Sequence, residues 1–562
     1  MGKINYIIRL WNTVRFLKLL QIYSRLKLLI KKRNSYSNKI TNYDYRNIHL
    51  IKVIDKNQSL FKKEEFIFFN LKGNLKDIGW QNESQNKLWR YNQNYLDDLN
   101  SKNANLKIEI HIDILKNWIE NNKDINLLPW DPYPTSLRIV NIIKWITRNS
   151  IDNIIIKKII KSLAFQSEHL YQNIEYHLMG NHLFTNAKAL IFTGLFFDTP
   201  RSKLWANKGF NLMKSQLREQ ILNDGGHFER SPMYHAIILE DVLDVFNIIN
   251  NNNTKDIDVN INWLLMLVKK MIIWMIAMNH PDKNISFFND CAFNISSKSE
   301  DIIDYAKRLN VINEKEISKI NNLFNCRNSE IPSFRHLSDS GYIALFSTNA
   351  YLIADVAKIG PDYIPSHAHA DTLSYELSLF NKRVIVNSGT STYENNKIRY
   401  IERSTKSHST VELNNTNSSD VWSAFRVGKR AEPKKLEILD NKNFVKISCS
   451  HNGYSNLNKK ILHNRVWIMY GNNSLKIKDT IDGNILSGIA RHILHPEIKI
   501  KSMKNNSIDL NDKDGNVIKI NIICGNFSLT KATYSNEFGI NIATNCINVE
   551  LENNLSKIEI LW

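Results

Sequence analysis

The sequence predicts an α+β multidomain chain, helical in its first part and antiparallel β in its second. Three observations carry this. At 562 residues the chain exceeds what one hydrophobic core supports, so at least two domains are expected. Between Pro134 and Asn279 apolar residues recur at helical spacing, with short connections that favour antiparallel helix hairpins. Near Ser338-Asp339-Ser340-Gly341 the hydrophobic period changes to two, and turn residues multiply. The boundaries drawn from this are 1–100 for an N-terminal helical extension, 101–335 for a helical-hairpin solenoid or toroid, and 336–562 for an antiparallel β-sandwich.

The segment Met1 to Arg33 mixes Ile, Leu, Trp and Phe with Lys and Arg every few positions. It lacks a small-residue cleavage site and is too interrupted by charge to span a bilayer. It suits a helix packed on its own protein, or a basic amphipathic helix lying on an anionic membrane. Residues 1–100 read as helical, with Trp80 and the Leu88-Trp89-Arg90-Tyr91 cluster as buried anchors. The passage Leu128 to Pro134 breaks the chain, and Thr135 or Ser136 is placed to cap the next helix. That helix carries Leu137, Val140, Ile143 and Trp145 near one stripe; further helices are expected at about 154–178, 183–197, 203–222, 232–250 and 258–279. Short alternating runs follow at Tyr342–Phe346, Phe444–Ser448, Asn464–Tyr470 and Ser474–Lys478, and Asp514-Gly515 between apolar runs signals a hairpin. Cys291, Cys326, Cys449, Cys524 and Cys546 are scattered and never in CxxC spacing, which argues against a disulfide framework or a cysteine-built zinc site. The net charge of +19 suits a polyanionic partner, or reflects only an Asn-, Ile- and Lys-rich composition; no nucleic-acid-binding pattern accompanies it.

Three polar clusters stand out. Ser366-His367-Ala368-His369-Ala370-Asp371 precedes an alternating run, Thr372 to Phe380, that reads as a half-buried strand. Two imidazoles at i and i+2 share a face if extended, and could bind a metal, divide proton chemistry and binding, or simply satisfy each other in a polar loop. Asn387-Ser388-Gly389-Thr390, Tyr393 and Arg403 to His408 lie downstream, where His408 could meet His369. Met179-Gly180-Asn181-His182 sits at a helix junction, where Asn181 reads best as an N-cap. Asp224 to His235 holds two turn glycines, then Ser231-Pro232 as N-cap and first helical residue. Tyr234 would then project from a first helical turn, a position that favours phenolate, while Glu229 and Arg230 read as tying the loop together.

Together these stretches resemble the heparinase II/III family of polysaccharide lyases. Asn181-His182 with Leu183 to Leu190, and Asp224 to His235, resemble its helical domain. Ser366 to Asp371, Asn387 to Thr390, and Arg403 to Thr410 with Phe425-Arg426-Val427 resemble its C-terminal domain. Pro132 to Arg138 resembles the form found beside bacterial surface-polysaccharide synthesis enzymes. The resemblance implies an incomplete (α/α) toroid followed by a β-sandwich, and β-elimination at a uronic acid. Carried over by motif, Asn181 and His182 contact the carboxylate, His182 doubling as base for some epimers. Tyr234 is the acid, or acid and base in a syn elimination, and His367 a second base or charge stabiliser. Glu229, Arg230, Tyr393 and Arg403 are expected to bind substrate. His369 and His408 match metal-binding histidines, with Asn387 where a carboxylate is frequent, so one structural divalent metal, zinc or calcium, is the cofactor to test.

The expected partner is therefore an acidic polysaccharide, not nucleic acid, with peripheral membrane contact through the basic N-terminal helix left open. The resemblance places the chain in the cell envelope, periplasmically; the lack of a clear signal peptide makes a cytoplasmic or inner-membrane-associated location the alternative. Two other functions fit the same sequence: a glycosidase using Asp224 and Glu229 as paired carboxylates, and a non-catalytic polysaccharide-binding or assembly protein.

Overall fold

The computed structural model of the protein describes residues 3–30, 43–81, 83–252, 260–324, 331–458 and 460–562. Cys326 and the ends of the Met1–Arg33 segment lie outside them.

Successive antiparallel hairpins build the helical domain: Pro132–Ile146, Asn153–Gln172, Gly180–Phe196, Pro200–Gln220, Pro232–Asn250 and Ile261–Ala277. Their shared core holds Trp145, Leu163, Leu190, Trp205, Leu239 and Met271, all buried. Small residues allow close approach where it is tightest. A Cβ on Gly194 would lie 2.6 Å from the Ala206 Cα, and one on Gly209 would lie 2.8 Å from the Ala187 carbonyl oxygen.

Residues 1–100 are not helical throughout. Leu60–Lys62, Glu65–Phe68 and Leu71–Asn74 form a small antiparallel sheet against Trp80 and Trp89. Its second turn, Phe69-Asn70, has both residues at positive φ, the two-residue hairpin geometry that follows strand twist. No Asn-Gly or Asp-Gly pair announces this turn. The helix expected to be capped by Thr135 or Ser136 starts earlier, with Pro132 in its first position, where a missing N–H costs nothing. Ser136 Oγ instead donates back to the Pro132 carbonyl at 2.8 Å.

The first strand of the β domain begins at Ser333, after the last helix of the helical domain ends at Leu323. Two antiparallel sheets face each other. One runs in spatial order Asn526–Tyr534, Ile542–Glu550, Gly488–Leu494, Lys382–Val386, Tyr375–Leu379, Ala350–Asp355, Tyr342–Ser347, Ser333–Leu337, with Val411–Leu413 also on Gly488–Leu494. The other runs Pro433–Asn441, Phe444–His451, Leu462–Tyr470, Ser474–Asp482, Leu555–Leu561, Val517–Cys524, Ser507–Asn511, Lys499–Lys504. Leu352, Leu377, Trp467, Ile477, Ile520 and Ile558 fill the space between them. Asn511 pairs with Val517 across the Asp514-Gly515 turn, where Gly515 has φ +87.

The strand after the histidines, Tyr375–Leu379, is buried on both faces rather than half-buried. Its apolar face enters the sandwich, and its polar face meets the helical domain. Glu376 accepts there from the backbone N–H groups of Phe287 and Asn387, and pairs with His280 at 2.8 Å. Alternation reports two environments; here the polar one is another domain.

Candidate active site

The site lies where three loops meet the segment 278–293, which runs from the helical domain onto the sandwich. The Asp224–Ser231 loop turns at Gly225, whose φ is +93 and whose Cβ would fall 2.4 Å from the Lys270 carbonyl oxygen. Arg230 takes φ +57, and its carbonyl accepts from the Tyr342 hydroxyl at 2.7 Å and the Asn289 amide at 2.9 Å. Ser231 caps the next helix by accepting from the Tyr234 N–H, which fixes Tyr234 in the first turn.

Tyr234 stacks on His367, ring centroids 3.9 Å apart, and its hydroxyl lies 3.1 Å from that of Tyr393. Burial, followed by the charges and hydroxyl around it, lifts the Tyr234 phenol well above its ordinary range. The helix start therefore does not produce a phenolate; the group is a proton donor. His367 Nδ1 donates to Asp290 at 2.8 Å, so in the neutral ring Nε2 keeps a free lone pair.

Asp290 organises this part of the site. Its carboxylate also takes His369 Nε2 at 2.8 Å and both terminal nitrogens of Arg399. Burial opposes its charge, yet Arg399 and the two histidines hold it well below the usual carboxylate range. Sequence reasoning missed Asp290, Arg399 and Glu175. An Asn-Asp-Cys stretch between a helix and a β domain gives no period and no motif, so only its burial marks it.

At the other helix junction, Met179 (φ 64) and Gly180 (φ 55) make a tight turn, and Met179, not Asn181, occupies the capping position. The Asn181 carboxamide has no hydrogen-bond partner among the described residues. His182 stacks on Tyr133 at 4.3 Å and bonds Glu175 through Nδ1 at 3.2 Å. This junction is tied to the first by Glu229. A Cβ on Gly180 would sit 3.2 Å from Glu229 Oε1, and Glu229 Oε2 lies 3.6 Å from His367 Nε2. The contacts thus gather Glu229, Tyr234, His367 and Tyr393 at one interdomain junction, with Gly180 against Glu229 and Asn181 and His182 following it in the chain. Both Glu229 oxygens are buried without a hydrogen-bond partner, and burial raises this carboxyl's pKa.

Three expected site residues face elsewhere. Arg230 Nε donates to the Ser340 carbonyl at 2.9 Å. Arg403 is buried and spends its guanidinium on the carbonyls of Ala368, Ser423 and Arg426, fastening the histidine loop to the next one. Asn387 donates to the Phe287 carbonyl at 3.0 Å and accepts from the Ser409 N–H at 3.0 Å.

His369 Nδ1 and His408 Nε2 face each other at 3.0 Å. His408 Nδ1 donates to the Ser404 carbonyl and His369 Nε2 to Asp290, so the bond between the rings requires a third hydrogen on the pair. One positive charge, a proton or a cation in its place, meets that count. Burial, which pushes His369 down to about 3 and lowers His408, works against the proton. His451–His463–Asp479 shows the contrasting case. Gly453 N–H donates to His451 Nδ1, and two neutral rings complete that chain. A metal suits the charge at His369–His408 but finds only two nitrogens, since no group of three His, Cys, Asp or Glu among the described residues is arranged to hold one. Calcium, which takes oxygen ligands, suits them least.

A helical toroid joined to a β-sandwich, with a tyrosine, histidines and a buried carboxyl between them, defines a two-domain protein with titratable side chains gathered at the domain junction. The family model "Heparinase II/III N-terminus" matches residues 24–316 and "Heparinase II/III-like, C-terminal" matches 331–559, and the chain belongs to the heparinase II/III family. A heparin-sulfate lyase of Bacteroides stercoris is 23% identical over 345 residues, 58% of this chain and 48% of that protein. One from Pedobacter heparinus is 24% identical over 290 residues, 49% and 42% respectively. The chain thus spans about half the length of these curated relatives. Among solved structures, Heparinase III superposes with TM-score 0.65 at 16% identity, covering 96% of this chain and 88% of that one. The heparan sulfate lyase of Pedobacter heparinus gives 0.60 at 16%, covering 97% and 87%. These likenesses establish the fold.

Proposed function

We propose that the chain is a carbon–oxygen lyase that cleaves a uronic-acid-containing acidic polysaccharide by β-elimination. The observation that carries this is the Tyr234–His367 stack, backed by Asp290, beside Glu229 and the Gly180 turn that Asn181 and His182 follow. In the reaction a base removes the C5 proton, the C4–C5 double bond forms, and the C4–O4 bond breaks with protonation of O4. In this reading Asn181 and the Glu229 carboxyl, whose pKa burial raises, donate hydrogen bonds to the uronate carboxylate and so stabilise the charge developing there. His367 Nε2, or His182 for the other C5 epimer, takes the proton. Tyr234, neutral because it is buried, gives one to O4. The relatives' name, heparin-sulfate lyase, makes a glycosaminoglycan-like polymer the first substrate to try.

The glycosidase reading loses support. Asp224 accepts from the Ser340 N–H and hydroxyl and from the Gly226 N–H, so its carboxylate closes a loop. We further infer a role in bacterial capsule or O-antigen metabolism at the cell envelope, supported by the Pro132–Arg138 resemblance. A divalent metal, if bound, would be held weakly by His369 and His408 and would supply the positive charge that pair lacks. Ultraviolet absorbance of the conjugated product, over a panel of uronic-acid polymers, tests the reaction. Absorbance that grows with wild type and fails with Tyr234→Phe supports it. Chain cleavage without absorbance, or tight binding without turnover that Tyr234→Phe leaves unchanged, overturns it.

A further inference from the structure

Amphipathic helices on a protein surface normally turn their apolar stripe inward. The two N-terminal helices do the reverse. In Leu19–Ile30, the residues Leu19, Ile22, Tyr23, Leu26, Leu29 and Ile30 fall at i, i+3, i+4, i+7, i+10 and i+11, and all are exposed. Leu19, Leu29 and Ile30 are 84%, 83% and 85% exposed, whereas the buried residue of this helix is polar: Gln21, 1% exposed. In Lys3–Val14 the same spacing brings Ile7, Leu10, Trp11 and Val14 to the surface.

Polar and edge-on aromatic contacts, not the apolar stripes, fasten these helices to the protein: the Tyr6 ring meets that of Trp422 and Arg430 lies over Phe16. Arg9 pairs with Asp420, Lys18 with Glu219, and Thr13 Oγ1 accepts from the Trp422 ring N–H at 3.1 Å. The ion pairs hold the hairpin with its apolar stripes outward. Such a contiguous exposed stripe marks an interaction surface.

Charge selects the occupant. The first 43 residues contain ten Lys or Arg and no Asp or Glu; the first acidic residue is Asp44. Arg15, Arg25 and Lys27 are exposed and have no carboxylate partner among the described residues. We propose that the helices Lys3–Val14 and Leu19–Ile30 dock on the surface of an anionic lipid bilayer, apolar stripes in the acyl boundary and basic residues at the headgroups. A second copy fits less well, because a two-fold contact would set one acid-free basic segment against another. A bilayer supplies both an apolar phase and negative charge, and the exposed Trp11 and Tyr23 are residue types that favour its interface. The helices lie on the surface: no described helix is long and apolar enough to cross a membrane. The proposal is independent of the lyase reading.

The test is co-sedimentation of the full chain with vesicles of phosphatidylcholine, with and without phosphatidylglycerol, at low and high salt. Binding is expected to the phosphatidylglycerol vesicles and to weaken with salt. The triple variant Trp11→Ser/Leu19→Ser/Leu29→Ser, altered only at exposed positions, should lower the partition coefficient at least about tenfold, because it removes three large apolar side chains from the stripe. Arg25→Glu/Lys27→Glu should weaken binding to anionic vesicles alone. The proposal is overturned if wild type stays in the supernatant, if both lipid mixtures bind equally in high salt, or if the chain is a dimer that the triple variant makes monomeric.

Discussion

Asp290→Asn changes one atom at the point where both histidines and an arginine converge. Each carboxylate oxygen accepts from one imidazole and one terminal nitrogen of Arg399. An amide must turn its NH2 toward one histidine–arginine pair, and it leaves the buried Arg399 without its counter-charge. Breaking a buried ion pair from one side costs about 3–5 kcal/mol, so the melting temperature should fall markedly. The second consequence is chemical. A neutral His367 no longer held with its hydrogen on Nδ1 presents Nε2–H, and a mis-set tautomer on a catalytic imidazole lowers kcat by about 10⁴. Rates of product absorbance, read below the variant's melting temperature, separate the two effects. His367→Ala and Asp290→Asn should each be severe, and the double variant no worse than the more severe single one, because both remove the same function. A folded Asp290→Asn enzyme with near-wild-type kcat would refute this reasoning.

Tyr234→Phe should lower kcat by about 10²–10⁴ with KM little changed, and should cost about 1 kcal/mol of stability from the lost bond to Tyr393; a KM effect alone would make Tyr234 a binding residue. Glu229 has a raised pKa in the folded chain, so its contribution to stability is present below its unfolded value and is lost as pH rises through the folded one. Glu229→Gln should therefore gain stability over wild type as pH climbs above the ordinary carboxylate range, seen in denaturant melts at several pH values. It should also lose the alkaline limb of kcat/KM that Glu229 ionisation imposes, while keeping a hydrogen-bond donor. Chelator treatment should leave most thermal stability intact, since two imidazoles hold a metal weakly, whereas His369→Ala should lower activity by releasing the loop that carries His367. Stoichiometric zinc surviving dialysis against chelator would contradict the weak site.

The helical hairpins and the change of period near residue 338 were legible because each is a repeated local pattern that packing then enforces. Ser231-Pro232 was legible for the same reason, as a cap needs only its neighbours. The sheet at 60–74 was not, because its turn uses Phe69-Asn70 in a left-handed conformation that composition does not announce. Tyr234, His182 and His367 were visible as residue types in recognisable stretches, but their environments were not. A first-turn position favours phenolate only in solvent, and Tyr234 is buried against His367 and Tyr393. Arg403 and Asn387 stand in conspicuous polar clusters, yet they spend their groups on backbone. Asp290 had no pattern at all, because its partners come from 77 and 109 residues away.

That distance also explains how the cleft is assembled. The segment 278–293 belongs to neither hairpin nor sheet, and it is sewn to both. His280 bonds Glu376 and Ser378; Arg383 reaches Asp282 and the Ile285 carbonyl; Phe287 N–H donates to Glu376. From the other side, the Asn289 amide donates to the Arg230 carbonyl and Ser231 Oγ donates to that of Asp290. Asp290 thus takes its position from the sandwich and from the loop before Tyr234 together. Glu376, buried and touching no cleft residue through its side chain except by way of this segment, is a positioning residue. Glu376→Gln should lower kcat with KM little changed, and should add nothing to the kcat loss of Asp290→Asn, a pattern that a loss of fold alone would not produce. If the variant melts earlier but keeps wild-type kcat, the bonds of Glu376 to this segment stabilise the fold without positioning Asp290, which its own partners His367, His369 and Arg399 then hold in place.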